Sequence, residues 1–289
     1  MRLFAPVQAS YKGGSGEPML LLHGFTDTWR AWTAVLPALE AHHAVFAPTL
    51  PGHHGGPSFE DGAPTTIESS VDMVERQLDE EGIERAHIVG NSLGGWAALE
   101  LGVRGRALSV VALCPGGGWY PGSREQRAIA RFFAQNNRML RMGRPMIHTI
   151  ASRPRLRYLA LRELVAHPER VNATAACAMF EGAAECAIVE DALALSKTGN
   201  MFSDLGDIDC RVRIAYGTHD RLIRWPNYYT RMKQLLPDAE YVALEGMGHV
   251  PMWDDPAGVA KVILEVTEPD EAPLAGPDRA ARPAESAAS

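Results

Sequence analysis

The feature that most restricts the fold is an alternation of short apolar runs with longer helix-like runs between Met19 and about Val111. MLLLHGF (19–25), AVFAP (44–48), AHIVG (86–90) and LSVVALC (108–114) are short and almost wholly apolar, as strands buried on both faces must be. Between them, residues 28–40 carry helical spacing through Trp32, Val35, Leu36 and Leu39. Residues 65–82 place Ile67, Val71, Val74 and Leu78 on one face behind a capping Thr66, and residues 93–103 are rich in Ala and Leu. Such an order predicts an α/β fold: a mostly parallel, doubly wound sheet with helices on both sides. The alternation resumes at 212–217 and 241–246, with helices near 225–236 and 255–266. Residues 119–203 hold no comparable strand and read as helical. The expected organisation is therefore a core in two parts, 1–118 and 204–267, split by a helical insert at 119–203 after the fourth predicted strand. Residues 268–289, with four Pro, seven Ala and no aromatic, are expected to form a disordered tail.

Charge sharpens this division. The 289 residues carry a formal net charge of −7, yet Arg124 to Arg170 holds eleven Arg against three acids, a local net of +8. An acidic chain lacks the basic footprint that nucleic-acid binding demands, so none is expected. The uncharged run 107–123 is broken by Pro115, Gly116, Gly117, Gly118 and Pro121, and no membrane span is expected. The opening MRLFAPVQASYK has no continuous apolar segment, and Cys114, Cys177, Cys186 and Cys210 form no CxxC pair. A cytoplasmic setting without metal or cofactor is the expectation. A homodimer is compatible with these features. Lys12-Gly13-Gly14-Ser15-Gly16 reads as a flexible turn, because no GK[ST] follows it.

The chemistry gathers just beyond strand ends. Gly90-Asn91-Ser92-Leu93-Gly94 fits G-x-S-x-G between a strand and a helix. A sharp turn there holds Ser92 in a strained conformation, so its neighbours must be small. The Leu93 N–H, at the helix start, faces the place where an oxyanion would form. A serine hydroxyl is a weak nucleophile and needs a base with an orienting partner. His249, in Gly246-Met247-Gly248-His249 after the last strand, suits the base. Asp220, in Gly217-Thr218-His219-Asp220 after the strand 212–217, suits the orienter. The turn His23-Gly24-Phe25-Thr26 can aim the Phe25 N–H at the same oxyanion, with His23 as a structural histidine. Asp254 and Asp255 are candidate caps of the final helix, and Met139, Met142 and Met146 are equally suited to packing or to an adaptable pocket.

With LLLHGFTDTW, LPGHHGGPS, HIVGNSLGGWAALEL, YGTHDRLI and EGMGHVPMWDDP spread over residues 20–260, the chain resembles an α/β-hydrolase with a helical cap. The resemblance implies Ser92 as nucleophile, His249 as base, Asp220 as orienter, the Phe25 and Leu93 N–H groups as oxyanion hole, and 119–203 as cap. Related dehalogenases and epoxide hydrolases attack with Asp, whereas this elbow carries Ser92. Cleavage of small or medium carboxylic esters through an acyl-enzyme is the expected reaction. Asn91 in GNSxGG resembles the elbow of hydrolases that cleave carbon–carbon bonds in meta-ring-fission dienoates, whose carboxylate is bound by Arg. That family usually has a Gly-rich segment after HG, where this chain reads HGFTD. A ligand receptor on the same fold is a third reading. Asn91, Trp119, Arg124 and Trp253 are the candidate substrate-pocket residues.

Overall fold

The computed structural model describes residues 8–60, 64–120, 122–198, 205–225 and 228–268. Strands β1 (Ser10–Gly14), β2 (Glu17–Leu22), β3 (His43–Pro48), β4 (Ala86–Asn91), β5 (Ala107–Leu113), β6 (Arg211–Gly217) and β7 (Glu240–Leu244) form one sheet in the order β1-β3-β2-β4-β5-β6-β7. Every neighbouring pair is parallel except β1 with β3. Helices α1 (Leu36–Leu39), α2 (Ile67–Glu80) and α3 (Leu93–Val103) precede an insertion between β5 and β6. The insertion comprises α4 (Arg124–Met142), α5 (Ile147–Ser152), α6 (Pro154–Leu161), α7 (Ala173–Glu185) and α8 (Val189–Thr198). Helices α9 (Tyr229–Leu235) and α10 (Pro256–Thr267) complete the fold.

Successive strand side chains point to opposite faces, and both faces here are buried. Met19 and Leu21 of β2 join one core with Leu36, Leu39, Val259 and Ile263, while Leu20 and Leu22 join the other with Val71, Leu78, Trp96 and Met232. Thus α1 and α10 cover one face, and α2, α3 and α9 cover the other. The apolar runs lack polar alternation for this reason. Thr66 caps α2 by accepting the Ser69 N–H, and Ile67, Val71, Val74 and Leu78 are its buried residues.

The structure corrects three local expectations. Lys12, Gly13 and Gly14 belong to edge strand β1, not to a free turn, because β3 supplies their ladder partners. Residues 28–40 form no single helix. A 3-10 turn at Trp29–Trp32 is followed by α1, and Pro37 stands at the start of α1, where it has no N–H to extend a helix back toward the 3-10 turn. The helix expected from 225 begins at Tyr229, and Pro226 and Asn227 lie outside the described residues. So do residues 269–289 of the expected tail. Glu268 closes α10, and its carboxylate meets His42 at 2.8 Å. Among the described residues no helix is long and apolar enough to cross a membrane.

Strand β2 has β3 on one side and β4 on the other, so the order in which the chain adds parallel strands to the sheet reverses about it. Ligands of open α/β sheets bind in the crevice beyond the strand ends at such a point. The far side of the sheet is braced by Arg213, which is buried on β6 and donates to Glu240 of β7 (2.8 and 3.0 Å) and to Glu265 (2.9 Å) and Val262 O (2.7 Å) of α10. Its guanidinium, hydrogen-bonded to Glu240, holds that carboxyl below its ordinary value. A carboxyl lowered in this way stabilises the fold at neutral pH and loses that contribution as pH falls. Arg213→Met should cost about 1–2 kcal/mol at neutral pH, since both glutamates are partly solvated, and less in acid. Urea unfolding at pH 7 and near pH 4 measures the difference.

Candidate active site

Ser92 sits between β4 and α3 with φ 55° and ψ −112°, outside the regions that L-residues favour. Its surroundings allow little else. A Cβ on Gly90 would lie 2.0 Å from Gly94 O, and one on Gly94 would lie 2.1 Å from Leu22 O. The turn is pinned by Ser92 N–H to Leu113 O (2.9 Å) and by Gly116 N–H to Ser92 O (2.9 Å). Thr26, Ser92 and Cys114 are the non-glycine residues with positive φ among the described residues. All three stand just past the ends of β2, β4 and β5, so backbone strain is concentrated at one sheet edge.

The structure brings Ser92, His249 and Asp220 into one hydrogen-bonded chain. His249 Nε2 lies 2.9 Å from Ser92 Oγ, and Nδ1 lies 2.8 Å from Asp220 Oδ2. The other carboxylate oxygen of Asp220 accepts the N–H groups of Leu222 and Ile223, both at 2.8 Å. All three side chains are buried. With Asp220 accepting at Nδ1, the imidazole presents Nε2 as an acceptor toward the serine hydroxyl.

Several supports of this chain are tertiary. Asn91 Nδ2 donates to Leu113 O (3.1 Å) and to the backbone His249 O (2.9 Å), and the residue also lines the larger of the two cavities at the site. Cys114 Sγ accepts the Gly217 N–H (3.3 Å) and donates to Gly248 O (3.6 Å), joining the loops that carry Asp220 and His249. Burial raises its thiol well above the ordinary range, which keeps the proton for that donation. Asp255 caps α10 through Gly258 N–H, as expected, but Asp254 does not. Its carboxylate instead accepts Gly248 N–H (2.7 Å), Ala166 N–H (3.1 Å) and His167 N–H (2.7 Å), tying the His249 loop to the insertion. Val250 N–H to Leu164 O (2.9 Å) and Arg221 to Arg162 O add to the same strap. No local sequence signal marks Cys114 for this task, because its partners are over 100 residues away, and of Asp254's three partners only Gly248 is near in the chain.

The turn after β2 packs on the nucleophile: a Cβ on Gly24 would lie 3.3 Å from Ser92 Cβ. His23 bridges Gly24 O and Leu50 N–H, each at 2.8 Å, and burial, with His53 adding to it, holds its pKa well below the ordinary value. Leu93 opens α3, so its N–H has no carbonyl one turn behind it.

Two cavities meet at Ser92, Phe25 and Phe133. The smaller, about 90 Å³, is walled mainly by apolar groups such as Trp119, Ile129 and Ile223, with the polar Gln126 among them. The larger, about 310 Å³, also includes His249, Met139, Met146, Met179 and Phe180. Among the described residues neither Arg nor Lys lines either cavity. Arg124 is therefore not a pocket residue. Ser123 caps α4 by accepting the Gln126 N–H, which leaves Arg124 exposed and buries Gln126, Ile129 and Phe133 on one face. The spacing of these three could have identified Gln126 as lining. Trp253 also lies outside the lining, because the 3-10 turn Pro251–Trp253 buries its ring in the core. Ten of the eleven Arg between 124 and 170 are exposed, and Arg157 is half-buried against Ala151 O. Among the described residues two groups hold metal-ligating atoms within 4.8 Å of one another: Cys114, Asp220 and His249, and His148, Cys177 and Glu181. In the first, both imidazole nitrogens already have partners.

Asp27 is the one carboxylate on the larger cavity. It accepts the Thr28 N–H at 2.8 Å, and burial pushes its pKa from 3.8 up to about 6. A carboxyl whose pKa is higher folded than unfolded costs stability as pH rises through that interval. Asp27→Asn, which keeps the Thr28 bond, should raise the unfolding temperature near pH 8 and leave it almost unchanged near pH 4. Paired thermal scans at the two pH values check this.

The family model described as "Alpha/beta hydrolase family" matches residues 19–262. Epoxide hydrolase EphH of Mycobacterium tuberculosis is 33% identical over 207 residues, covering 68% of this chain and 93% of that protein. The 2-hydroxy-6-oxo-2,4-heptadienoate hydrolase of Pseudomonas putida is 34% identical over 94 residues, covering 32% of this chain and 34% of that protein. Among solved structures, a thermophilic esterase from Thermogutta terrifontis superposes with a TM-score of 0.68 at 21% identity, covering 89% of this chain and 91% of that one. That likeness speaks for the fold alone. With a family model spanning most of the chain and a full-length relative, the protein belongs to the alpha/beta hydrolase family.

Proposed function

We propose that the protein is a serine hydrolase of small to medium carboxylic esters. The observation that carries this reading is the continuous chain from Ser92 Oγ through His249 to Asp220, at 2.9 and 2.8 Å. In the proposed reaction His249 Nε2 takes the hydroxyl proton as Ser92 Oγ attacks the ester carbonyl carbon. The carbonyl oxygen becomes an oxyanion, for which the Phe25 and Leu93 N–H groups are the proposed donors. Asp220 stabilises the imidazolium through Nδ1–H. His249 then gives its proton to the departing alkoxide, leaving an acyl group on Ser92. Water, deprotonated by His249, attacks that acyl carbon and releases the acid.

Two competing chemistries fare worse. Opening an epoxide with Ser92 would leave a dialkyl ether on the enzyme, with no carbonyl for water to attack. A carboxylate nucleophile leaves an ester, which water can cleave, and this elbow offers none. A dienoate substrate carries a carboxylate, whereas among the described residues the cavities present no Arg or Lys and the larger holds the Asp27 carboxyl. The similarity to the heptadienoate hydrolase over 94 residues keeps carbon–carbon cleavage as the second reading. The apolar walls favour an uncharged ester, with room for a larger group in the 310 Å³ cavity than in its 90 Å³ neighbour.

The test is turnover of a p-nitrophenyl ester series, an epoxide and a ring-fission dienoate by the wild type, Ser92→Ala and His249→Ala. Esters should be cleaved, with kcat down about 10⁴-fold or more in each variant. Dienoate or epoxide turnover without ester turnover would overturn the proposal. Asn91→Ala should lower kcat about 100-fold and change KM by much less, since it frees the backbone of His249, although Asn91 also forms part of the larger cavity's lining. A rise in KM alone would mark Asn91 as a binding residue.

A further inference from the structure

The large hydrophobic side chains that are exposed lie in one part of the molecule. Among the described residues they are Tyr120, Met139, Met142, Met146, Leu156, Tyr158 and Leu159, with exposures of 38 to 72%. Six of these fall between residues 139 and 159. A soluble surface rarely groups apolar side chains in this way unless something covers them. Helix α6 is the extreme case: of PRLRYLAL, Leu161 alone is buried. The same stretch holds the charge that the proposed reaction leaves unused. From Gln126 to Arg162 there are nine Arg and no Asp or Glu. Arg144 pairs with Glu185 (2.9 Å) and Arg162 with Glu163 (3.4 Å). Arg138, Arg141, Arg153 and Arg155 are exposed, with no acidic partner in salt-bridge reach among the described residues.

We infer that this face docks on an anionic lipid surface. Apolar side chains interleaved with unpaired arginines match a layer that is hydrocarbon within and negatively charged outside. A dissolved acidic protein would satisfy the arginines but not the apolar groups that alternate with them along the same stretch. The face also borders the site. Met139, Met146 and Ala160 line the larger cavity together with Ser92 and His249, so the cavity opens beside the surface that would meet the lipid. Docking stands independently of the hydrolase reading. Delivery of a lipid-dissolved ester into the cavity rests on it.

Co-sedimentation of the full chain with phosphatidylcholine vesicles, with and without phosphatidylglycerol, tests the inference. The protein should partition onto the anionic vesicles, less so as salt rises, and weakly onto the neutral ones. Each arginine near an anionic surface is worth about fivefold, so Arg153→Ala with Arg155→Ala should weaken partitioning roughly 30-fold. Leu156→Asp with Leu159→Asp should abolish it, while unfolding temperature and near-ultraviolet dichroism stay as in the wild type. Ser92→Ala should bind vesicles as the wild type does, which separates docking from catalysis. Absence of binding to anionic vesicles, or binding unchanged in both double variants, would overturn the inference. So would a dimer in sedimentation equilibrium that Leu156→Asp with Leu159→Asp dissolves, which would assign the face to a second copy.

Discussion

The geometry of the site depends on the backbone of one residue, Ser92. Its φ of 55° sits where α3 approaches Gly90 and the end of β2 approaches Gly94 too closely for any side chain at either position. The cost of that conformation, of order 1–3 kcal/mol, is offset by the packed sheet on either side. In return the hydroxyl stands clear of the strand, within 2.9 Å of an imidazole arriving from 157 residues away. Thr26 and Cys114 share the same strained region of φ and the same sheet edge. The turns that would form an oxyanion site, carry the nucleophile and anchor the Asp220 and His249 loops are thus strained together, and the rigid strands beneath them supply the constraint.

Around this edge the insertion does more than cover a hole. Asp254 gathers three backbone N–H groups, one from the His249 loop and two from the segment before α7. The imidazole and the cavity wall are therefore one mechanical unit. The wall is apolar, and the arginines of the insertion turn outward. Charge has been kept out of the cavity and placed on the opposite side of the same helices. The exception is Asp27, a carboxyl that burial pushes up to about 6.

What was legible in the sequence follows from how local each cause is. The elbow was legible because its G-x-S-x-G pattern lies within five residues and the exclusion at Gly90 acts against Gly94 itself. Asp220 and His249 were legible because each follows a strand whose apolar run marks its end. Strand β1 was not, since its Lys-Gly-Gly stretch becomes extended only against β3. The break at Pro37 was written in the sequence, but the apolar spacing of Trp32, Val35 and Leu36 outweighed it, and burial of those residues survives the break. Arg124 and Trp253 were misjudged because the rotation of a helix or a 3-10 turn decides which face meets the cavity. Cys114, and Asp254 toward Ala166 and His167, act on backbone groups that only folding brings near, so no pattern in the chain announces those contacts.

The central claim is that folding turns the hydroxyl of Ser92 into the nucleophile. Peptide mapping by mass spectrometry after treatment with a fluorophosphonate tests this most directly. The account predicts a single phosphonyl adduct, on Ser92, formed quickly in the native protein and absent after unfolding in urea. An unlabelled native protein, or an adduct on another serine with Ser92 unmodified, would contradict it.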